Sequence, residues 1–576
     1  MQETPLSKSP FVLFTRSEWL LIFFMASVSS ILGVIGFYIY YEQQQANATA
    51  LDILYSTIGL FILEFNGTIG KVPGPLEVAR WLAPISLSYA AFKAVMSIMG
   101  NRLAQFKINR LKNHAIICGL DEKSLQTITS LRAANIPTVV IVNTLENHHT
   151  GLAREQGAHI IHGNPGDVTQ LTLANIRNAA YLLATTMDDE RNIEITYHAF
   201  RQRREQLAGP VLQCIAHIKQ QHLIPILYDQ PVFSKDYDYF SARIVNYSAI
   251  AARLLLSHYG PERELSTLQK KSDLSVLLVG NHDFIDDIVL RFASIGHYGN
   301  SHPVNISIVG KSANERLQKI IEDQPILTEI VNLQANNLDL NIIHAAKNQK
   351  VIDDFNPDII YICASSTELT LAWTQLLLSF TTKIPIIIND FNNSVITSVM
   401  SENFEDYPHV KLADKLHTST SFDAIFNATH DKMARAIHEN YVNVQIAAGD
   451  NLETNSSLID WQHLPESLKD ANRNQADHMA IKCRLLSSDT PISAAAINDK
   501  LTVDMIEHLS KIEHERWVAE KLITGWRYSS GEKNTALRLS PNLIPWDDLT
   551  DTEREKDRDT VKNLPQLAHM LEGLST

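Results

Sequence analysis

Between Trp19 and Tyr41 the chain reads WLLIFFMASVSSILGVIGFYIYY, a run without a single charge. Coiled as a helix at 1.5 Å per residue, it spans about 34 Å, enough to cross the hydrocarbon of a bilayer. Trp19 at one end and Tyr38, Tyr40 and Tyr41 at the other stand where interfacial aromatics belong. Ala46-Asn47-Ala48 would suit a signal-peptidase site, but the apolar run is too long for a signal peptide and a second one follows. That second run, Trp81 to Met99, carries one charge, Lys93, which is either a pore-side residue or one that snorkels to the interface. Between them, Leu51 to Phe65 is too short for a span and is flanked by Asp52 and Glu64, which predicts a re-entrant or interfacial helix. Arg16 precedes the first span, and Arg102, Lys107, Arg110 and Lys112 follow the second. By the positive-inside rule both termini are cytoplasmic, so residues 1–101 are expected to form a two-span, multi-pass anchor in the cell (inner) membrane, with the lipid bilayer as its first partner.

Span, short helix, span is also the layout of a potassium-channel pore subunit, which this order of parts resembles. A potassium filter needs a run of backbone carbonyls, however, and STIGLFILEFNG offers only Thr57-Ile58-Gly59.

The remaining length calls for several domains in a chain of 576 residues, and 45% hydrophobic with 20% charged residues predicts a chain folded nearly throughout. A net charge of −14 excludes a general nucleic-acid binder, because neutralising phosphates requires clustered Lys and Arg. Cys118, Cys214, Cys363 and Cys483 show no metal or disulfide spacing, so no metal site is expected.

From NHAIICGLDEKSLQTITSLRAANIPTVVIVN onward, continuous apolar strands alternate with helical segments, the pattern of a parallel sheet covered on both faces. Residues 112–260 are predicted to form one α/β doubly wound, Rossmann-like domain. This segment resembles the RCK, or TrkA-N, family of nucleotide-binding regulatory domains of bacterial potassium channels and transporters. On that resemblance the glycine fingerprint falls on Gly119, Asp121 and Ser124, the ribose-binding position on Asn143, and the Gly-Asp step on Gly163-Asn164. Asp188-Asp189-x-x-Asn192 matches the DDxxN that follows the fourth strand. Only the first glycine is present, and Asp121 puts a negative charge where a pyrophosphate would sit on a helix N-terminus. A second copy of the pattern, residues 273–410, opens with the turn Gly280-Asn281-His282-Asp283-Phe284-Ile285, poorer still in glycine, so a ligand is less expected there than in the first unit. In the family such tandem units pair into dimeric or ring platforms, which implies a homo-oligomer, dimer or tetramer.

Near the C-terminus Met505, Leu509, Ile512, Arg516, Ala519 and Ile523 follow helical spacing, so a cation falls on the core-facing stripe. Gly525 ends that helix and Thr550-Asp551-Thr552-Glu553 is a capping box opening the next. His514-Glu515-Arg516-Trp517, Gly525-Trp526-Arg527-Tyr528, Pro541, Leu543, Pro545-Trp546 and Asp557-Arg558 resemble the ryanodine-receptor (RyR) repeat domain of prokaryotic proteins. His438-Glu439-x-Tyr441 echoes His514-Glu515-x-Trp517 upstream, so the mainly α-helical module is drawn as 425–576, with two half-repeats. The resemblance implies a small nucleotide-type ligand, a nucleotide or cyclic nucleotide. Tryptophans could stack its base and arginines hold its phosphate, which points to Arg473, His514, Arg516, Trp517, Trp526, Arg527, Tyr528 and Trp546. The alternative is that the tryptophans are core and the arginines pair with acids such as Glu515, Glu520 or Asp557.

No acid–base pair or nucleophile constellation stands out, so the chain is expected to be no enzyme. The expectation is a ligand sensor, a channel-like or membrane effector gated at the RyR module. The alternative is a potassium or other cation transport subunit regulated by nucleotide at the first Rossmann-like domain.

Overall fold

The computed structural model describes residues 16–65, 72–143, 148–205, 209–220, 223–266, 268, 271–300, 302–338, 345–380, 383–389, 407–413, 431–452, 455, 457–486 and 493–574. The chain divides into two compact units, Met1–Arg110 and Leu111–Thr576.

In the first unit the apolar run lies in α1 (Arg16–Gln43), and α3 (Gly74–Asn109) contains residues 81–99 and continues past them. Among the described residues one helix, Leu20–Gln43, is long and apolar enough to cross a membrane, with a mean hydropathy of 2.3 over its most apolar window. The segment expected at 51–65 is α2 (Ala50–Gly59) followed by a 3-10 turn, Leu60–Ile62. Asp52 belongs to a capping box: its side chain takes the Thr49 N–H while Thr49 takes the Asp52 N–H. Gly36 lets α1 and α3 touch, since a Cβ there would lie 2.5 Å from Leu76. Phe37, Tyr40, Leu60, Leu76, Ala79 and Ala83 fill the seam, and Phe23, Trp81 and Phe92 are left exposed on the outside. Lys93 is half-buried, its ammonium 5.8 Å from the Tyr89 ring.

The second unit holds two parallel six-stranded sheets. The first runs β3-β2-β1-β4-β5-β6, from β1 (His114–Cys118), β2 (Thr138–Val142), β3 (His159–His162), β4 (Ala179–Ala184), β5 (Leu212–His217) and β6 (Phe240–Val245). The second runs β12-β11-β10-β7-β8-β9, from β7 (Ser275–Gly280), β8 (Asn305–Gly310), β9 (Asn332–Asn337), β10 (Ile359–Cys363), β11 (Ile386–Asn389) and β12 (Val410–Ala413). Both are the doubly wound order whose reversal point lies between the first and fourth strands. Strands buried on both faces read as near-continuous apolar runs, and HAIIC, TVVIV and IIYIC are buried at every position, with His114 and Thr138 polar at the strand starts. Helices α4 (Glu122–Ala133), α5 (Asp189–Arg204), α6 (Tyr247–Tyr259), α7 (Phe284–Ile295) and α8 (Ala313–Asp323) include those used below.

The C-terminal module is helical: α9 (Asp431–Ala447), α10 (Glu466–Leu486), α11 (Val503–Ile523), α12 (Asp551–Lys562) and α13 (Leu564–Leu574), with a two-residue pairing of β13 (Arg527–Tyr528) and β14 (Leu539–Ser540). Residues 425–430, drawn into it from sequence, lie outside the described residues. The alternation along β7 explains how the module is held. Leu277 and Val279 face one core with Ile360, Trp373 and Leu377, whereas Val276 and Leu278 face another that runs without a break through α6 and α7 into Met479, Leu509, Ile512 and Leu564 of the module.

Candidate functional site

The parallel sheets bring Gly119, Asn143, Asn164 and Asp188 to one edge, each just after the C-terminal end of β1 to β4 in turn. Gly119 has φ +103°, and a Cβ there would lie 3.0 Å from the Thr185 carbonyl oxygen, so glycine is required. Asp121 is the N-cap of α4: its carboxylate accepts the Ser124 N–H and the Ser124 hydroxyl, both at 2.8 Å. The helix N-terminus that would receive a phosphate thus already holds the chain's own anion. Asn143 is exposed, and the Asn164 side-chain Oδ1 accepts from Gly166 N at 3.1 Å and from the Arg191 guanidinium at 2.6 Å. The Asp-Asp-x-x-Asn signature ties strand ends together. Asp188 caps α5, Asp189 accepts the Lys219 and Gln220 N–H groups, and the Asn192 amide donates to Thr186 O and to His217 O.

The equivalent crevice of the second sheet is filled from within. The Arg316 guanidinium on α8 donates to Asp286 at 2.7 Å, to Asp283 at 3.0 Å and to the Asn281 carbonyl at 3.0 Å. Sequence reasoning did not single out Arg316, because it comes from the second helix of the unit and meets the first turn only through the fold.

In the helical module Arg516 is buried and bonded to Glu513 at 3.1 Å and Glu520 at 2.5 Å. Glu513 also takes the buried Lys482 and faces His478 at 3.3 Å. Burial works against its charge, but Arg516 and Lys482 outweigh that and hold Glu513 well below the usual carboxylate range. Arg473 belongs to a separate cluster on α10, bonded to Asp431 at 2.7 Å, Glu466 at 3.0 Å and Asp470. Two of the three arginines assigned to a ligand from sequence, Arg473 and Arg516, are therefore committed to acids inside the protein. Of their partners, Glu520 was among the acids considered from sequence, whereas Glu513, Asp431, Glu466 and Asp470 were not.

His514 donates from Nε2 to the Ile544 carbonyl at 2.8 Å, stacks on Trp517 at 5.9 Å and tilts against Trp546 at 5.9 Å. Trp546 is buried, with the guanidinium groups of Arg554 and Arg558 5.6 and 6.0 Å from its ring centroid. Trp526, Arg527 and Tyr528 come together elsewhere, on the flap that follows Gly525, where φ is +89°. Arg527 and Tyr528 are exposed and Trp526 is half-buried. The ammonium groups of Lys521 and Lys533 each lie 5.7 Å from the Trp526 ring centroid. Lys533 makes no hydrogen bond or ion pair among the described residues. Partial desolvation, then the charges of Lys521 and Lys556, hold it below the usual ammonium range. Sequence reading missed Lys533, which lies in a polar loop with no periodic signal.

Residues 115–233 match the TrkA-N domain, and residues 490–572 match the RyR domain. The chain carries both domains. The helix end capped by Asp121 lies in the TrkA-N domain, and the flap with Trp526 lies in the RyR domain. A search of curated proteins finds no match. Among solved structures, GsuK bound to ADP aligns over 71% of this chain and 97% of its own at 13% identity and a TM-score of 0.38. The GsuK channel bound to NAD aligns over 73% of this chain and 84% of its own at 11% identity and a TM-score of 0.39.

Proposed function

We propose that this chain is a membrane-anchored, non-enzymatic sensor whose ligand is an anionic, planar small molecule of the nucleotide class, taken up at the flap of the RyR domain. The observation that carries this reading is Trp526 flanked by Lys521 and Lys533, with the Lys533 ammonium in no ion pair among the described residues. An aromatic ring with two cations beside it fits a base or nucleoside bearing a phosphate, which an ammonium in no ion pair would attract. In this reading Arg527 and Tyr528 border the ligand, whereas Arg473, His514, Arg516, Trp517 and Trp546 hold the frame that presents the flap. The anchor crosses the bilayer twice through α1 and α3, the chain works as a homo-oligomer, and ligand preference for one arrangement of the cytoplasmic part shifts the membrane part.

The test is a thermal-shift screen of mono-, di- and cyclic nucleotides on the full chain in detergent, with Trp526→Ala, Lys533→Ala and Asn143→Ala in parallel. A ligand present at 100 times its Kd adds about 2.7 kcal/mol to the stability of the folded state. A shift lost in Trp526→Ala and Lys533→Ala but kept in Asn143→Ala is the expected result. A shift lost in Asn143→Ala alone moves the ligand to the TrkA-N domain and favours nucleotide-regulated cation transport. No shift with any nucleotide sinks the nucleotide reading.

A further inference from the structure

The RyR match begins at residue 490, yet residues 431–486 repeat a set of side-chain contacts found in residues 503–562. In the second copy His514 donates to the Ile544 carbonyl at 2.8 Å and lies 5.9 Å from Trp546 at 56°; in the first, His438 donates to the Ile459 carbonyl at 2.7 Å and lies 6.0 Å from Trp461 at 57°. Each histidine also stacks on the aromatic three residues on, Trp517 at 25° and Tyr441 at 28°. Arg558 bonds Glu507 through Nε at 2.7 Å and Arg473 bonds Asp431 through Nε at 2.7 Å, and each arginine also pairs with the acid three residues before it. The first helix of each copy is followed by a left-handed glycine, Gly525 at φ +89° and Gly449 at φ +99°. Contacts that recur in both copies belong to the fold of the repeat, so function is to be sought in what each copy has alone.

The second copy alone has the flap: its stretch from glycine to tryptophan is nine residues longer and holds β13, β14, Trp526 and Lys533. The first copy carries the denser polar grip on the two Rossmann units, to which the second copy adds the Arg538 to Asp229 pair at 3.4 Å and the apolar contact of Leu509 and Ile512. Asp477 accepts from Arg253 on α6 at 2.5 and 2.7 Å and also takes Arg291 on α7, which donates to Asn474 as well at 2.7 Å. His478 donates from Nε2 to the carbonyl of His297, just past α7, at 2.9 Å, while its other face meets Glu513 of α11. The same helix reaches the first sheet through Asp470 to Tyr228 and Glu466 to Arg243. At the positions of the second copy that match Asp477 and His478 stand Lys562 and Asn563, and the Lys562 ammonium pairs with Glu555 and Asp559 of its own helix.

We propose that the first copy is the transmission element of the module: α10, clamped through Asp477 and His478 to α6 and α7 on one side and to Glu513 of α11 on the other, carries changes at the second copy into the Rossmann units. The direction of the signal rests on the flap being the ligand site, whereas the mechanical link does not. The test therefore needs no ligand: native-state hydrogen exchange read by mass spectrometry on the full chain in detergent. The expected result is that α7, α10 and α11 lose protection together as denaturant rises, and that Asp477→Asn uncouples them, with α10 and α11 exchanging at least tenfold faster than α7. Arg291→Gln, which leaves Arg253 on Asp477, gives the same separation in smaller degree and serves if Asp477→Asn does not fold. Lys562→Asn, at the matching position of the second copy, leaves α7 unchanged. Independent opening of α7 and α10 in the wild type overturns the proposal, as does exchange in step in both clamp variants. Failure of every nucleotide to bind, with the exchange result intact, removes the ligand reading and leaves the link standing.

Discussion

Arg516 and Glu513 are each almost wholly buried, so the pair holds its charges only because each compensates the other. Replacing such a pair with apolar residues can be neutral, but removing one partner leaves a buried charge and costs about 3–5 kcal/mol. Arg516→Ala is therefore expected to lower the denaturation midpoint steeply with or without a nucleotide, whereas Lys533→Ala leaves it within about 0.5 kcal/mol of wild type. Urea titration of the two variants separates frame from site. Glu466 gives a pH prediction. Burial raises its affinity for a proton, but Arg473, Arg243 and Lys469 outweigh this and bring it down to about 2, below the usual value near 4.5. Stability from a carboxyl depressed on folding is fully present above its unfolded pKa and is lost as pH falls through the folded one, so this contribution, roughly 3 kcal/mol, fades between about pH 5 and pH 2. Glu466→Gln should flatten that limb of the stability curve, as denaturation series at pH 3 and pH 6 would reveal.

At the scale of elements, helix ends decide how the glycine-poor fingerprint works. Asp121, read from sequence as an obstacle to a phosphate, is the cap of α4, and Asp121→Ala is expected to cost about 1 kcal/mol. Asp121→Gly costs less than the alanine variant, because glycine leaves the helix end open to water. A chemical-denaturation comparison of the two checks this order. Gly525 ends α11 at φ +89°, where a Cβ is strained, so Gly525→Ala should destabilise by roughly 1 kcal/mol and loosen the flap, seen as faster exchange of amides 526–540. The boundaries of these elements were legible in the sequence because caps act within one turn. Thr550 caps α12 as its capping-box pattern requires, accepting the Glu553 N–H. Arg316 was not legible, because its partners Asp283 and Asp286 are about thirty residues away along the chain.

For the unit Leu111–Thr576 as a whole, the second Rossmann sheet and the RyR module share one apolar core, whereas the TrkA-N sheet packs Ile117, Val140 and Leu183 into a core of its own. Elements that bury each other's surface cannot unfold separately without exposing it. Calorimetry of the full chain should show the module and the second sheet melting as a single transition, and Leu509→Ala, in the shared core, should lower it by about 2–5 kcal/mol in stability. Two separate transitions for module and sheet would contradict the shared core. The sequence by itself determined the apolar helix, both doubly wound sheets, the helical module and its cap residues, because periodicity, capping and strand composition act over a few residues. Only the tertiary structure decided that Arg473 and Arg516 are internal, that the second crevice is closed by Arg316 and that Lys533 joins Trp526. Charge pairing depends on distance in space, and the acids that settle those arginines come from other turns, other helices and other domains of the chain.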